Sequence, residues 1–351
     1  MKQLNVGLFG FGCVGQGLYD VLKQSQKFTA DIKKIVVKHR DKPRKISMEN
    51  FAFHKEELML RDDINVIVEL IDNSEDALEI VTEALNKKWD VVTANKKLIA
   101  ENFEALYKLS RQSNAALLYE GAVAGGIPII RNLEEYYDNE LLSCISGIIN
   151  GSSNYILSKM EREQAAYADV VKQAQALGFA ELDPWLDVAG YDAKFKLLIL
   201  IVHAFGLILK PEDILNLGIS EVSKFDIRYA FEKGKRIKLI AKAFKHKGVL
   251  RAYVLPHFVS PETAFYHVMD ENNAVEVEGA FSDKQLFTGK GAGSYPTGGA
   301  VLSDISALSY HYRYEFKKLQ VQQQHEADTP LVLDKDFDLK VYVRYTDENE
   351  L

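Results

Sequence analysis

The stretch Leu4-Asn5-Val6-Gly7-Leu8-Phe9-Gly10-Phe11-Gly12-Cys13-Val14-Gly15 decides the fold. An apolar segment, Leu4–Gly10, runs into three glycines at GxGxxG spacing, and Leu18, Val21 and Leu22 follow at helical intervals, so a strand feeds a helix. Gly10 permits the tight turn, Gly12 lets the backbone approach a pyrophosphate, and Gly15 lets the helix pack on the strand, with the positive helix N-terminus facing the phosphates. Gly10, Phe11, Gly12, Cys13, Val14 and Gly15 are therefore the expected dinucleotide-binding turn. A tight βα turn without a ligand is the alternative.

Outward from this turn the alternation repeats. Lys33–Lys38 holds Ile35, Val36 and Val37 and predicts a second strand; Ile64–Ile71 predicts a buried strand, Asp76–Leu85 a helix, Asp90–Thr93 a strand, Phe103–Leu109 a helix and Ala115–Tyr119 a strand. Such alternation means a parallel sheet covered on both faces, so residues 1–130 read as a Rossmann-type, doubly wound α/β domain. Past Pro128 the character changes. Ser143–Ile149 predicts a strand, Tyr155–Leu177 one long helix ending at Gly178, and a further helix begins near Tyr191, apolar all round from Leu197 to Phe205 except for His203. With strands expected at Gly248–Val259, Ala264–Met269 and Asn273–Gly279, residues 131–295 form an α+β domain with a mixed sheet. Pro296–Leu308 returns to a helical pattern, and residues 296–325 are expected to complete the first domain. The tail, 326–351, alternates Phe337, Leu339, Val341 and Val343 and reads as a terminal strand.

The 351 residues, 47% hydrophobic and 26% charged, suit about two domains. The longest apolar run, Leu197–Val202, is far short of the ~18 residues of a membrane span, and no basic-then-apolar leader follows Met1, so neither a membrane nor a secreted protein is expected. Cys13 and Cys144 cannot build a disulfide framework or a thiolate zinc site, which fits a reducing, cytoplasmic setting. A net charge of −7 gives no pull toward nucleic acid.

Several residues outside the turn could carry chemistry. A site for NAD places Asp or Glu about 20 residues after the glycines, on the ribose hydroxyls; Lys38-His39-Arg40 stands there instead. A guanidinium suits a 2′-phosphate, so Arg40, with Lys42 or Arg44 nearby, favours NADP(H) while NAD(H) stays open, and a solvated basic loop is the alternative. Asn95 and Lys96 end a strand at the edge of the sheet where ligands bind, although an exposed lysine needs no function. In Glu181-Leu-Asp183-Pro184-Trp-Leu-Asp187-Val-Ala-Gly190-Tyr-Asp192-Ala-Lys-Phe-Lys196, Asp192 and Lys196 share one helix face just before the apolar run, at the wall of a core or cleft. Acids with one lysine there suit a cationic, hydroxylated substrate. Gly289–Gly293 is a second glycine-rich turn before a helix, and the histidines lack HxH or HExxH spacing, so no catalytic metal is expected.

Taken together, these residues resemble the homoserine dehydrogenases. The likeness covers residues 1 to about 310 and rests on GFGCVG at 10–15, VVTANKK at 91–97, YEGAVAGGIPII at 119–130, GIINGSSNYIL at 147–157 and ALGFAELDPWLDVAGYDAKFK at 176–196. It implies NAD(P)-dependent interconversion of L-aspartate 4-semialdehyde and L-homoserine, on the route to threonine, methionine and isoleucine. By the same resemblance Lys196 exchanges the proton at the substrate oxygen, with Lys96 beside it and Asp192 positioning. Glu181, Asp187 and Asp192 hold the amino acid. Thr93, Lys96 and Gly293 join the cofactor contacts. Glu120, Val123, Gly125 and Ile127 take a monovalent cation, sodium, mostly through carbonyls, and two copies pair through the second domain. The chain departs from the family at Ser152, where threonine is usual, at Phe179, where tyrosine is common, and at Leu70-Ile71-Asp72, in place of a glycine-rich segment. Neither an amino-terminal kinase nor a full C-terminal regulatory domain is expected.

Lysine is a ready acid near neutrality and a poor base, so homoserine oxidation is expected to quicken toward alkaline pH. Two rival readings remain: a phosphorylating aldehyde dehydrogenase, which needs a cysteine nucleophile that neither Cys13 nor Cys144 is placed to supply, and a catalytically silent nucleotide sensor.

Overall fold

Asn5–Phe9 (β1) lies at the middle of a six-stranded parallel sheet in a computed structural model that describes residues 3–25, 30–139, 141–176, 183–323 and 330–345. Its four C-terminal residues, Val6 to Phe9, are buried, as a strand covered by helices on both faces requires. Cys13–Gln24 (α1) follows, then Asp31–Val36 (β2), Phe51–Ala52 (β3), Glu56–Met59 (α2), Val66–Glu69 (β4), Ser74–Asn86 (α3), Asp90–Thr93 (β5), Lys96–Ser113 (α4) and Leu117–Leu118 (β6). The order β3-β2-β1-β4-β5-β6 reverses direction between β1 and β4, and the carboxyl ends of those strands open the crevice where such sheets bind ligands. The doubly wound expectation for this half therefore holds.

A short helix, Ile129–Glu134 (α5), leads into the second sheet. Its strands are Leu142–Ile148 (β7), Leu215–Asn216 (β8), Arg236–His246 (β9), Val249–Val259 (β10), Asn272–Gly279 (β11) and Asp283–Lys290 (β12), in the order β12-β11-β7-β9-β10-β8. All pairs are antiparallel except β8 with β10, so the sheet is mixed. Gly151–Glu163 (α6), Tyr167–Ala176 (α7), Trp185–Val188 (α8), Tyr191–Phe205 (α9) and Lys224–Glu232 (α10) belong to this half. Every residue of α9 after Tyr191 is buried, as its all-round apolar pattern predicts. Ser294–Leu308 (α11) returns to pack on α1, where a Cβ at Gly17 would collide with the Ser294 carbonyl, and Lys317–Gln323 (α12) closes the helical part.

Three local expectations fail. The long helix is two, because Gln164 adopts a left-handed φ of 49° and ends α6 before α7 begins. The strand at Ala264–Met269 is a single 3-10 turn, Ala264–His267, whose Phe265 and Val268 pack into a small apolar cluster with Ile148 and Val259. The alternating segment Phe337–Val343 joins no ladder. The strand-like contact of the described tail is Leu333 against Leu250, and the rest is held by ion pairs, Asp334 with Arg251, Lys335 with Asp213 and Arg344 with Asp226, and by aromatic contacts, Phe337 on Tyr253 and Tyr342 on Tyr229.

Candidate active site

The glycine turn is built as its spacing requires. Gly10 has φ +93°, and a side chain there would strike the Leu70 carbonyl; a Cβ on Gly15 would come within 2.5 Å of the Gly10 carbonyl. Beside Gly12 a Cβ meets nothing within 4 Å, which leaves backbone open to a ligand. Gly12 caps α1 without a side-chain bond, so the first-turn amides remain available to an anion. The second glycine-rich turn arrives at the same place: Gly293 precedes α11, and Ser294 Oγ donates to the Cys13 carbonyl at 2.8 Å. Phe11 turns inward against Tyr19 and Phe51, and only its backbone serves the turn.

Arg40 lies on the exposed loop after β2, its guanidinium over the Phe53 ring at 4.6 Å. Arg44 clasps that loop through the His39, Arg40 and Lys42 carbonyls. Two cations therefore stand on the loop beyond the second strand.

At the other end of the crevice the two halves of the chain meet through charge. Asn95 caps α4, its Oδ1 accepting from Leu98 N at 3.0 Å, and so fixes Lys96 as the first helical residue. Lys96 Nζ lies 3.0 Å from Asp192 Oδ1, and Lys196 Nζ lies 2.7 Å from Asp192 Oδ2, one turn along α9. Lys196 also donates to the Ile149 carbonyl at 2.8 Å, so among the described residues the third of its N–H bonds is left for another acceptor. Asp187, on α8, joins through Asn150, whose Nδ2 donates to Asp187 Oδ1 at 2.7 Å and to Asp192 Oδ2 at 2.9 Å while its Oδ1 caps α6. Burial alone would raise the Asp192 carboxyl, but the Lys196 and Lys96 charges and the bonds from Lys196 and Asn150 hold it well below the usual carboxylate range. Asp187 is pushed up, first by burial and then by the Asp192 charge. Asn150 was missed as a functional residue; its signal was an Asn-Gly pair just before a helix, which reads only as a cap.

Other expected residues stand apart. Thr93 ends β5 with its side chain sealed, its hydroxyl spent on Glu69 and on Asn95 N. Glu181 lies outside the described residues. Glu120, Val123, Gly125 and Ile127 form one buried turn through two left-handed residues, Ala124 and Gly125. The Glu120 carboxylate accepts from Ile130 N and Arg131 N at 2.9 and 2.8 Å, so the group this turn can offer a cation is its backbone carbonyls. Among the described residues no cluster of three or more His, Cys, Asp or Glu side chains could hold a metal ion, and no helix is long and apolar enough to cross a membrane.

Comparison with known proteins agrees with this arrangement. Residues 128–306 match the family described as homoserine dehydrogenase, and residues 10–120 match the homoserine dehydrogenase NAD binding domain. The chain is 39% identical over 314 residues to the homoserine dehydrogenase of Neisseria gonorrhoeae, which covers 87% of this chain and 72% of that one. It is 35% identical over 322 residues to that of Bacillus subtilis, covering 89% and 74%. The solved homoserine dehydrogenase of Thiobacillus denitrificans superposes with a TM-score of 0.86 at 35% identity, over 94% of this chain and 80% of that chain. A hyperthermophilic archaeal homoserine dehydrogenase in complex with NADPH superposes with a TM-score of 0.76 at 26% identity, over 89% and 99%. With its glycine turn and its lysines gathered on one aspartate, the chain belongs to the homoserine dehydrogenase family, oxidoreductases that act on a CH–OH group with NAD(P).

Proposed function

We propose that Lys196 is the proton donor in the family's reaction, the reversible reduction of L-aspartate 4-semialdehyde to L-homoserine, and that NADPH is preferred to NADH. The observation that carries this reading is Asp192 held between Lys96 and Lys196 at the mouth of the nucleotide crevice. The turn fits a dinucleotide because open space beside Gly12 and the uncapped first turn of α1 leave amides for a pyrophosphate. A nicotinamide cofactor bound there supplies the hydride. The chain's own groups do the rest. Lys196, with one N–H unspent, protonates the oxygen that gains charge at the aldehyde carbon, and its ammonium stabilises that charge in a dry site. Asp192 keeps both ammonium groups in place, and Lys96 meets the same oxygen or the substrate carboxylate from the first domain. Asp187 suits the substrate ammonium, with Glu181 proposed to join it.

Arg40 supports the NADPH preference, since its guanidinium matches a 2′-phosphate. We assign sodium to the carbonyls of Glu120, Val123, Gly125 and Ile127, homodimerisation to the second domain, where Phe281 and Leu286 are exposed, and a cytoplasmic place to a chain whose Cys13 and Cys144 are free thiols. The test is the loss of reduced-nicotinamide absorbance with aspartate semialdehyde for wild type and Lys196→Ala, NADPH against NADH. Turnover that favours NADPH and falls ~10²-fold or more in the variant is the expected result. Undiminished turnover in Lys196→Ala would remove the lysine from the reaction.

A further inference from the structure

Glu69 ends β4 at the carboxyl edge of the sheet, between Phe9 of β1 and Thr93 of β5, and it is fully buried. Neither the glycine turn nor the lysine cluster uses it. A carboxylate in a dry sheet is expensive to keep unless it is doubly bonded, and here both oxygens are taken. Oε1 accepts from Ile71 N at 2.7 Å, and Oε2 accepts from Thr93 Oγ1 at 2.5 Å. Thr93 Oγ1 in turn accepts from Asn95 N at 3.0 Å, and Asn95 Nδ2 reaches the Ile71 carbonyl at 3.3 Å. The four residues close a ring that ties the loop after β4 to the turn before α4. That turn carries the Asn95 cap and, one residue on, Lys96.

The direction of these bonds matters. An ionised carboxylate only accepts, so it forces the Thr93 hydroxyl to donate toward it and to receive the Asn95 amide. Protonating Glu69 would put a hydrogen between Oε2 and Thr93 and free the hydroxyl to turn, loosening the bond that seats Asn95. We propose that Glu69 is a positioning residue for the substrate end of the cleft, holding Lys96 in reach of Asp192 through Thr93 and Asn95 without touching a ligand. This rests on the reading of Lys96 as part of the substrate site. The ring also responds to pH. Burial raises the Glu69 carboxyl to about 7, against the pull of Thr93 and Ile71 N, and Asp72 on the following loop adds to the rise; β1 and β5 set Phe9 and Thr93 beside it.

The experiment compares Glu69→Gln, Thr93→Val, their double variant and Lys96→Ala with wild type, reading kcat and KM for aspartate semialdehyde from pH 5.5 to 9 (roughly spanning the titration). It also reads NADPH affinity by fluorescence and melting of the cofactor-free protein against pH. Expected are a fall of about tenfold or more in kcat/KM for aspartate semialdehyde in Glu69→Gln, with a smaller change in NADPH affinity, and loss of the limb near pH 7 that wild type shows. Thr93→Val should match it, and the double variant should be no worse than either single one. In the cofactor-free protein, wild type should lose stability as pH rises from about 4.5 to about 7, because the folded carboxyl holds its proton more tightly than the unfolded one, and Glu69→Gln should flatten that slope, leaving the share of the other raised carboxyl, Asp304. Wild-type kinetics in Glu69→Gln beside an impaired Lys96→Ala would overturn the inference alone. An unimpaired Lys96→Ala would overturn the reading beneath it. A Glu69→Gln protein that melts lower but keeps the pH limb would reduce Glu69 to a structural part and also overturn the proposal.

Discussion

Two charge clusters share α9, one built on Asp192 and Lys196 and the other on His203, and they are made of the same materials for opposite ends. In the cleft, Asp187 and Asp192 are met by Lys96 and Lys196, two charges of each sign, and Asn150 ties the acids together. Behind it, Glu120, Asp304 and Glu134 are met by Arg131 and His203, with Tyr119 and Tyr314 packed among them. In the rear cluster the acids are filled, although the buried Arg131 Nε has no partner among the described residues: Asp304 takes Glu120 N at 2.8 Å and Arg131 at 3.0 Å, Glu120 takes two amides of α5, and His203 bridges Tyr119 and Glu134. In the front cluster it is Lys196 that retains a donor among the described residues. The front acid Asp192 is held below the usual carboxylate range, whereas burial, followed by repulsion from Glu120, raises the rear acid Asp304 to about 8. Burial alone therefore does not mark a site. What marks it is a balanced charge set, two acids against two lysines, at the carboxyl edge of the parallel sheet.

The strongest way to break this contrast is Asp192→Asn. An amide cannot hold two ammonium groups, so kcat/KM for aspartate semialdehyde should fall by about 10²-fold or more while NADPH affinity, which depends on the distant glycine turn, changes little. Equal losses of both would mean that Asp192 serves the fold and not the reaction. Asp304→Asn is the matching test at the rear. Its folded carboxyl is raised above the unfolded value, so in wild type its contribution is fully present below about pH 4 and is lost as pH rises toward about 8. The variant has no proton to lose. Its stability relative to wild type should climb over that window by several kcal/mol, measured by denaturant unfolding at several pH values, with kcat near wild type. A constant difference across the window would place the Asp304 titration elsewhere.

The first domain was legible because its local signals and its global arrangement coincide: a glycine turn, β-branched strands and an unbroken alternation leave one topology. The second was read less completely, for reasons that lie in tertiary contact. β9 went unseen although it is central, because Lys238 is buried inside it and is satisfied by the Asn154 and Ser158 side chains, the Val268 carbonyl and Met269 Sδ, partners far away in sequence. β12 is an edge strand with a polar, half-exposed face that pairs through its backbone. In the site, Asp192 and Lys196 were legible from their spacing, Lys96 and Asp187 took their roles from the family resemblance, and their meeting across the crevice was not legible at all. Asn150 and Glu69 were not legible, since an Asn before a helix reads as a cap and a Glu at the end of an apolar strand reads as its exposed limit.

Asn150 sharpens the comparison further, because it is a neutral residue that bonds both front acids. Removing it in Asn150→Ala strips one hydrogen bond from each carboxylate and uncaps α6, so two effects are expected together. Melting should fall by an amount typical of a lost cap, about 1 kcal/mol. The KM for aspartate semialdehyde should rise by roughly tenfold as Asp187 and Asp192 lose their common tether. Asn150→Asp separates the two: it restores the cap acceptor but sets a third negative charge between Asp187 and Asp192, so stability at neutral pH should stay low while acidification toward pH ~5 restores part of it. If Asn150→Asp instead melts and turns over like wild type at neutral pH, the two aspartates are not held by this side chain.

The smallest expected effect lies at the opposite end of the crevice, where charge is exposed and water competes. Arg40 has a ring contact with Phe53 and no acid partner in the described structure, and Arg44 is occupied with the loop carbonyls. A 2′-phosphate on such a surface gains a screened attraction, worth less than the same pairing in the dry cleft. Arg40→Ser should therefore lower the preference for NADPH over NADH by about tenfold, chiefly through KM for NADPH, and the difference should shrink at high salt. A preference that survives the substitution would move phosphate recognition to Lys42 or Arg44. In either case kcat with saturating NADPH should hold, because nothing at this edge touches the lysine cluster that carries the proton.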